Sequence, residues 1–257
     1  MSRRRQSPER RNAAPALAAA LAFASSIGIA QSPPAGAPLV TPFSTQKAGA
    51  EFPAGWETVK ITDDKKPTQY KLVDDGGTVV LHATAEAAAS GLGQPMKVEI
   101  QTAPVIEWRW KVGRLIGGAD NAVATKEDSP ARIVFSFGGD RSKLPLTDRL
   151  ALSLADQRSG KPTPYGTMMY IWSNKAPVGT VIPNPRTGRV QMIVASSGPA
   201  GVGTWQSLKR NVLEDYRRAF NEEPGMLMSI GVLTDTDNTG ESVEAWYGDI
   251  RLMPAPR

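Results

Sequence analysis

The chain has 257 residues, 40% hydrophobic and 21% charged, a composition that suits one globular domain with an appended segment. Its formal net charge is +5, but residues 1–30 hold five arginines against one acid, which leaves 25 basic and 24 acidic side chains in the remainder. A balance of +1 gives no argument for nucleic-acid or membrane-surface binding, and the absence of cysteine excludes disulfides, a lipidated cysteine and thiolate chemistry.

Arg3, Arg4, Arg5, Arg10 and Arg11 precede an Ala/Leu-rich run over 13–29, and Gly28-Ile29-Ala30 offers small residues for cleavage after Ala30. The run is too short, too rich in alanine and too interrupted by Pro15 to favour a spanning helix. Residues 1–30 therefore read as an export signal, and the mature protein is expected in the periplasm or outside the cell with no transmembrane segment. Residues 31–50, rich in Pro, Ala and Gly and without periodicity, read as a tether ahead of a domain over 51–257.

From residue 51 onward, short β-branched or alternating runs recur between Gly, Pro and Asp. They cover 57–61, 69–73, 78–83, 96–100, 105–112, 132–137, 168–172, 189–195, 226–233 and 242–252. Ten such runs predict a mainly β domain, a jelly-roll-like antiparallel β-sandwich. One helix interrupts them: Leu208, Val212, Leu213, Tyr216 and Phe220 recur at helical spacing, Ser207 is placed to cap the start, and Pro224 follows the end. This amphipathic helix is expected to pack on the side of the sandwich. The connections 138–164 and 173–188 look irregular and are candidate binding rims.

A single histidine, His82, rules out a zinc site built on several imidazoles and forces any Ser-His-Asp arrangement through one residue. Nothing near it resembles a nucleophile turn, so a structural or solvent-facing place is expected. The best patterned strand is Val105-Ile-Glu-Trp-Arg-Trp-Lys-Val112, whose alternation sends Trp108 and Trp110 to one face and Glu107, Arg109 and Lys111 to the other. Those charges either solvate an open face or contact a ligand there. In the second case Glu107 and Arg109 are joined by Arg132, Tyr170 and Trp172 on the concave face, because indole rings stack on sugars and Arg forks reach hydroxyls or carboxylates.

The loop Asp235-Thr-Asp-Asn-Thr-Gly-Glu241 alternates hard oxygen donors. Its twelfth position is Trp246 and no helices flank it, so it is not an EF-hand. Asp235, Asp237 and Thr239, with Asp249 from the following strand, are candidate ligands of a structural calcium. The competing account is a turn whose Asp and Asn side chains cap backbone amides.

Several short motifs together resemble the bacterial exported proteins grouped as domain of unknown function 3047. They are Phe52-Pro-Ala-Gly-Trp56, Pro67-Thr-Gln-Tyr70, Pro104-Val-Ile-Glu-Trp-Arg-Trp-Lys111, Ala131-Arg-Ile133, Tyr170-Ile-Trp172, Asp215-Tyr-Arg217, Thr234-Asp-Thr-Asp-Asn-Thr239 and Tyr247-Gly-Asp249. The resemblance implies a β-rich exported domain and carries no catalytic residue. Where that family reads Phe-Gly after the helix, this chain has Phe220-Asn221, and Asn tolerates the left-handed conformation of a helix end. The expected function is ligand binding without catalysis, with a glycan as the leading class. The rivals are a polysaccharide hydrolase or lyase using Glu107, and an envelope component that recognises another protein.

Overall fold

The computed structural model describes residues 39–160 and 162–254; the expected export signal and residues 31–38 lie outside the described residues. In chain order the elements are β1 (Glu57–Lys60), β2 (Gln69–Asp74), β3 (Val79–Glu86), β4 (Ala89–Val98), β5 (Val105–Val112), β6 (Ser129–Phe137), α1 (Leu146–Ser159), β7 (Gly166–Ser173), β8 (Val181–Pro183), β9 (Val190–Ser197), β10 (Gln206–Asn211), α2 (Val212–Phe220), β11 (Leu227–Asp235), β12 (Ser242–Tyr247) and β13 (Arg251–Met253).

The strands form two sheets. A seven-stranded sheet runs β1-β4-β11-β6-β7-β9-β8, and a second runs β10-β5-β12-β3-β2 with β13 also on β5. All pairs are antiparallel except β7 and β9, which are parallel. The connection between them carries β8, which turns back to pair with β9. This is the expected mainly β sandwich with its amphipathic helix, α2.

Alternation places the core. On β5, Ile106, Trp108 and Trp110 face inward, and on β7 Tyr170 and Trp172 meet them. Trp108 stacks on Tyr170 at 5.1 Å, Trp110 lies 6.2 Å from Trp172, and Phe135 meets the edge of Tyr170 at 5.5 Å. Each side chain of this size contributes roughly 1.5–3 kcal/mol when fully buried, so this inter-sheet stack is a main source of stability. The indole of Trp110 donates to Ser196 Oγ at 3.1 Å, so burial leaves that group satisfied.

Two parts of the chain read differently in sequence. Residues 39–50, expected within the tether, pack onto the domain: Val40 and Phe43 are buried in the core, and Leu72 donates to the Ala50 carbonyl. Residues 207–211 belong to β10 instead of the helix, because Gln206 to Asn211 pair in register with Trp110 to Val105. The α2 helix starts one turn later, where the Asn211 side chain accepts from Leu213 N and Glu214 N, and it ends on left-handed Asn221. Inside, Asp215 accepts from the Tyr170 hydroxyl at 2.7 Å and from Arg210 and Arg218, which latches α2 to the sheet edge.

The connection 138–164 contains α1, which sequence periodicity did not announce. Its leucines do not share a face: Leu152 is buried while Leu146 and Leu150 are exposed. Pro145 at its start supplies no side-chain cap, and left-handed Gly160 ends it.

Candidate functional site

The turned-out residues of β5 and its neighbours build an open groove of about 520 Å³ on the solvent face of the second sheet. Glu107 and Arg109 come from β5, Ser207 and Lys209 from β10, and Arg251 from β13. Register explains the grouping, because Lys209 and Arg251 both stand opposite Glu107, and Ser207 stands opposite Arg109. Lys209 Nζ pairs with Glu107 at 2.9 Å. Asp249 and Ser44 close one end, with Asp249 accepting from Ser44 N at 2.9 Å and from Ser44 Oγ at 2.6 Å.

A break in the last strand shapes this groove. The β12 segment pairs with β5 as far as Trp110 and β13 resumes opposite Glu107, so three residues, Gly248 to Ile250, stand against two of β5. Gly248 N still donates to the Arg109 carbonyl at 2.9 Å, and the extra residue bulges beyond it. The glycine is required there, because a Cβ on Gly248 would lie 2.5 Å from Arg109 Nε and 3.0 Å from its Cδ. Arg109 therefore lies flat across Gly248, with its guanidinium 4.4 Å over the ring of Trp205.

Beyond Arg109, aromatic and cationic side chains alternate across the sheet. Lys111 sits 5.2 Å from the Trp205 ring and 4.6 Å from Trp246, which stacks on His82 at 4.7 Å. Burial holds the His82 imidazole below its usual range, against the opposing pull of Glu244 3.3 Å away. Asp75 accepts from the Trp205 indole at 2.6 Å and from Lys111 at 3.2 Å. The Trp205 bond is the main cause of the lowered pKa of Asp75, and Lys111 adds to it. These contacts set Trp205 and Trp246 against cations and an imidazole, so polar side chains do most of the presenting in the groove.

The five sequence-predicted ligand residues do not share one surface. Glu107 and Arg109 face the groove together. Tyr170 and Trp172 lie fully buried between the sheets, since they are the inward members of β7. Arg132 lies on the far side of the first sheet beside Met169 and Met192, separated from the groove by both sheets. Its side chain, 2% exposed, donates to Asp235 through Nε at 3.0 Å and Nη2 at 2.9 Å, and to Glu127 Oε1 through Nη1 at 2.6 Å. These carboxylates raise the arginine's pKa above its ordinary value against the opposing effect of burial. Burial also pushes the Asp235 carboxyl up to about 8 despite Arg132, with Asp128 and Glu127 adding.

The predicted calcium residues fall mostly in one place. Asp235 and Asp237 come together with Asp128, their nearest oxygens all within 4.8 Å, Thr239 joins them by donating to Asp128 at 2.7 Å, and Asp249 alone lies apart, at the groove. Among the described residues, five of the six oxygens of the cluster are already engaged, Oδ1 of Asp237 being the exception. Lys65 pairs with Asp237, Arg132 forks onto Asp235, and Asn238 and Thr239 donate to both oxygens of Asp128. The donor set fits a hydrogen-bonded network partly neutralised by Lys65 and Arg132, and a calcium ion on Asp237 Oδ2 would have to displace Lys65.

Sequence reasoning did not reach Lys209, Arg251, Trp205 or Ser44. The first was hidden by the helical reading of β10, and Ser44 by the tether. Pairing the outward face of β5 against the alternating 206–211 run could have found Lys209.

Fold and groove together define a β-sandwich with a polar, ligand-sized groove on one sheet face. Residues 54–251 match the family described as "Protein of unknown function (DUF3047)", and the chain belongs to that family. No curated protein matches the chain. Among solved structures, it is similar to the family 11 carbohydrate-binding module of the cellulosomal cellulase Lic26A-Cel5E of Clostridium thermocellum, at TM-score 0.38 and 9% identity over 81% of this chain and 92% of that one. It is also similar to the family 30 carbohydrate-binding module of the cellulase Cel9D-Cel44B of the same organism, at TM-score 0.34 and 9% identity over 82% and 92%. A third is the cellulose induced protein Cip1, at TM-score 0.29 and 12% identity over 76% and 89%. No described helix is long and apolar enough to cross a membrane.

Proposed function

We propose that this is an exported protein that binds a glycan in the groove on the solvent face of the second sheet without turning it over. The observation that carries the reading is the convergence of Glu107, Arg109, Ser207, Lys209, Asp249 and Arg251 on one open volume of about 520 Å³. A saccharide presents hydroxyls that both donate and accept, and rows of charged and hydroxyl side chains on a rigid sheet meet that demand. A glycosidase needs one carboxyl as acid and a second as base or nucleophile. Here Glu107 is engaged by Lys209 and Asp249 by Ser44, which supports binding over turnover. The basic segment followed by an Ala/Leu run at the N-terminus supports export.

The test is a thermal-shift titration of the full-length chain with neutral and acidic oligosaccharides. At a hundred times the dissociation constant a ligand stabilises by about 2.7 kcal/mol, which shifts Tm by roughly 5–11 °C at this size. The Glu107→Gln/Arg251→Gln double variant should keep its ligand-free Tm and lose the shift. No rise with any oligosaccharide, or a full rise in the double variant, refutes the assignment.

A further inference from the structure

Resting on the glycan reading of the groove, we propose that the ligand is a saccharide carrying carboxylates, of the uronic acid class, and that Arg109 and Arg251 are the side chains that bind its anionic groups. The argument starts from which groove charges are already satisfied. Glu107 has Lys209, and Asp249 has the amide and hydroxyl of Ser44. The nearby acid Asp75 holds Lys111 and the Trp205 indole. Among the described residues no oxygen accepts from the guanidinium of Arg109 or of Arg251; Arg109 rests on the ring of Trp205 and feels the charge of Asp75 without a hydrogen bond to it.

The groove lining thus carries three cations, Arg109, Lys209 and Arg251, against two carboxylates, Glu107 and Asp249, and both guanidinium forks are left without a carboxylate partner. A neutral sugar would leave their charge unmatched, whereas a carboxylate matches the planar guanidinium fork with two parallel hydrogen bonds. Position reinforces the choice. Arg109 lies two residues from Glu107 on the same face of β5, and Arg251 stands opposite Glu107 on β13, so the two forks flank one segment of groove. Arg109 is also held in place before any ligand arrives. Trp205 supports its face and the missing side chain of Gly248 gives it room, so little rotamer freedom remains to be lost on binding.

Isothermal titration of the full-length chain with three probes tests this: oligogalacturonates, their carboxyl-reduced counterparts, and polyglutamate. The expected result is binding of oligogalacturonates that weakens at high salt, with the reduced saccharides and polyglutamate at least tenfold weaker. Arg251→Gln, at an exposed position, should weaken oligogalacturonate binding about tenfold at unchanged Tm, and Arg109→Lys, which keeps the charge and loses the fork, should do likewise. If Arg109→Lys lowers Tm, the Arg251→Gln measurement decides. Equal binding of the reduced saccharides overturns the carboxylate inference and leaves the glycan reading standing. Equal binding of polyglutamate overturns both, because the groove would then read charge without sugar, and so does the absence of binding by all three. Undiminished oligogalacturonate binding in Arg251→Gln overturns the assigned role of the arginines.

Discussion

Replacing Arg132 with methionine separates a buried structural role from a ligand-binding one. The guanidinium is almost completely enclosed and serves four acceptors: both oxygens of Asp235, Oε1 of Glu127 and the Glu127 carbonyl. Methionine has a similar reach and would sit among Met169 and Met192 without a steric clash, so the loss is electrostatic. Breaking a buried pair by removing one partner costs roughly 3–5 kcal/mol, because the other charge stays behind uncompensated. At about 2–4 °C per kcal/mol for this size, Arg132→Met should melt roughly 6–20 °C below the parent at pH 7.5. The deficit should depend on pH with a definite sign. Burial raises the folded pKa of Asp235 against the pull of Arg132, so losing the guanidinium leaves a carboxyl that takes up a proton in the folded state. In the variant that uptake stabilises at acid pH and fades as pH rises through the folded pKa. Without Arg132 the orphaned carboxyls rise further, so the deficit should shrink at pH 5 and widen at pH 9. Calorimetric melting across that range reads both effects. A variant within about 2 °C of the parent at pH 7.5, with a ligand defect instead, would refute the reasoning.

Three further outcomes follow from single positions. Gly248→Ala should push Arg109 off Trp205; the lost cation–π contact, about 0.5–1 kcal/mol, is offset by a chain-entropy gain of similar size, so Tm should hold within a few degrees while the near-ultraviolet circular dichroism of the tryptophans changes. An unchanged spectrum would show that Arg109 has room to stay. Asn211→Ala removes the acceptor for Leu213 N and Glu214 N and should cost about 1 kcal/mol, or roughly 2–4 °C, in thermal melting. Excess chelator should leave the Tm of the parent unchanged, because Lys65, Arg132, Asn238 and Thr239 already engage most oxygens of the acidic cluster; a rise of several degrees with added calcium would show that an ion enters it.

The sheets were legible because their strands alternate. Each of the ten predicted runs overlaps a strand, although 96–100 catches only the end of β4, 242–252 covers β12, the break and most of β13, and β8 and β10 are not among them. The inward and outward sides of β5 fall as Trp108 and Arg109 indicate. What alternation cannot supply is the partner of each strand. Tyr170 and Trp172 read as exposed aromatics in a one-dimensional pattern, yet β7 is buried along its whole length, so its pattern holds no trace of an open face. Arg132 is the same case with a charge, since β6 is also buried throughout and only Glu127, five positions earlier, and the distant Asp235 make an arginine tolerable there. The boundary between β10 and α2 was missed because Leu208 fits both a helical stripe and the alternation that pairs it with Trp108. The groove itself depends on contacts across 42 to 205 positions of sequence, from Gly248 beside β5 to Ser44 on Asp249, which no local window contains.

The break between β12 and β13 links the fold to the groove. An unbroken strand along β5 would place a side chain opposite Arg109 at position 248 and keep Asp249 within the ladder. The one extra residue instead sends Asp249 to the N-terminal arm, where Ser44 receives it, while Gly248, still bonded to the Arg109 carbonyl, leaves room under that side chain. The arm is thereby pinned at the groove's end, with Phe43 entering the core against Trp56 at 4.9 Å. One local irregularity thus frees an arginine, occupies an acid and anchors the chain that closes the site. Filling it with a side chain should disturb recognition before it disturbs the sandwich, because the inter-sheet stack of Trp108, Trp110, Tyr170 and Trp172 lies on the opposite face of β5.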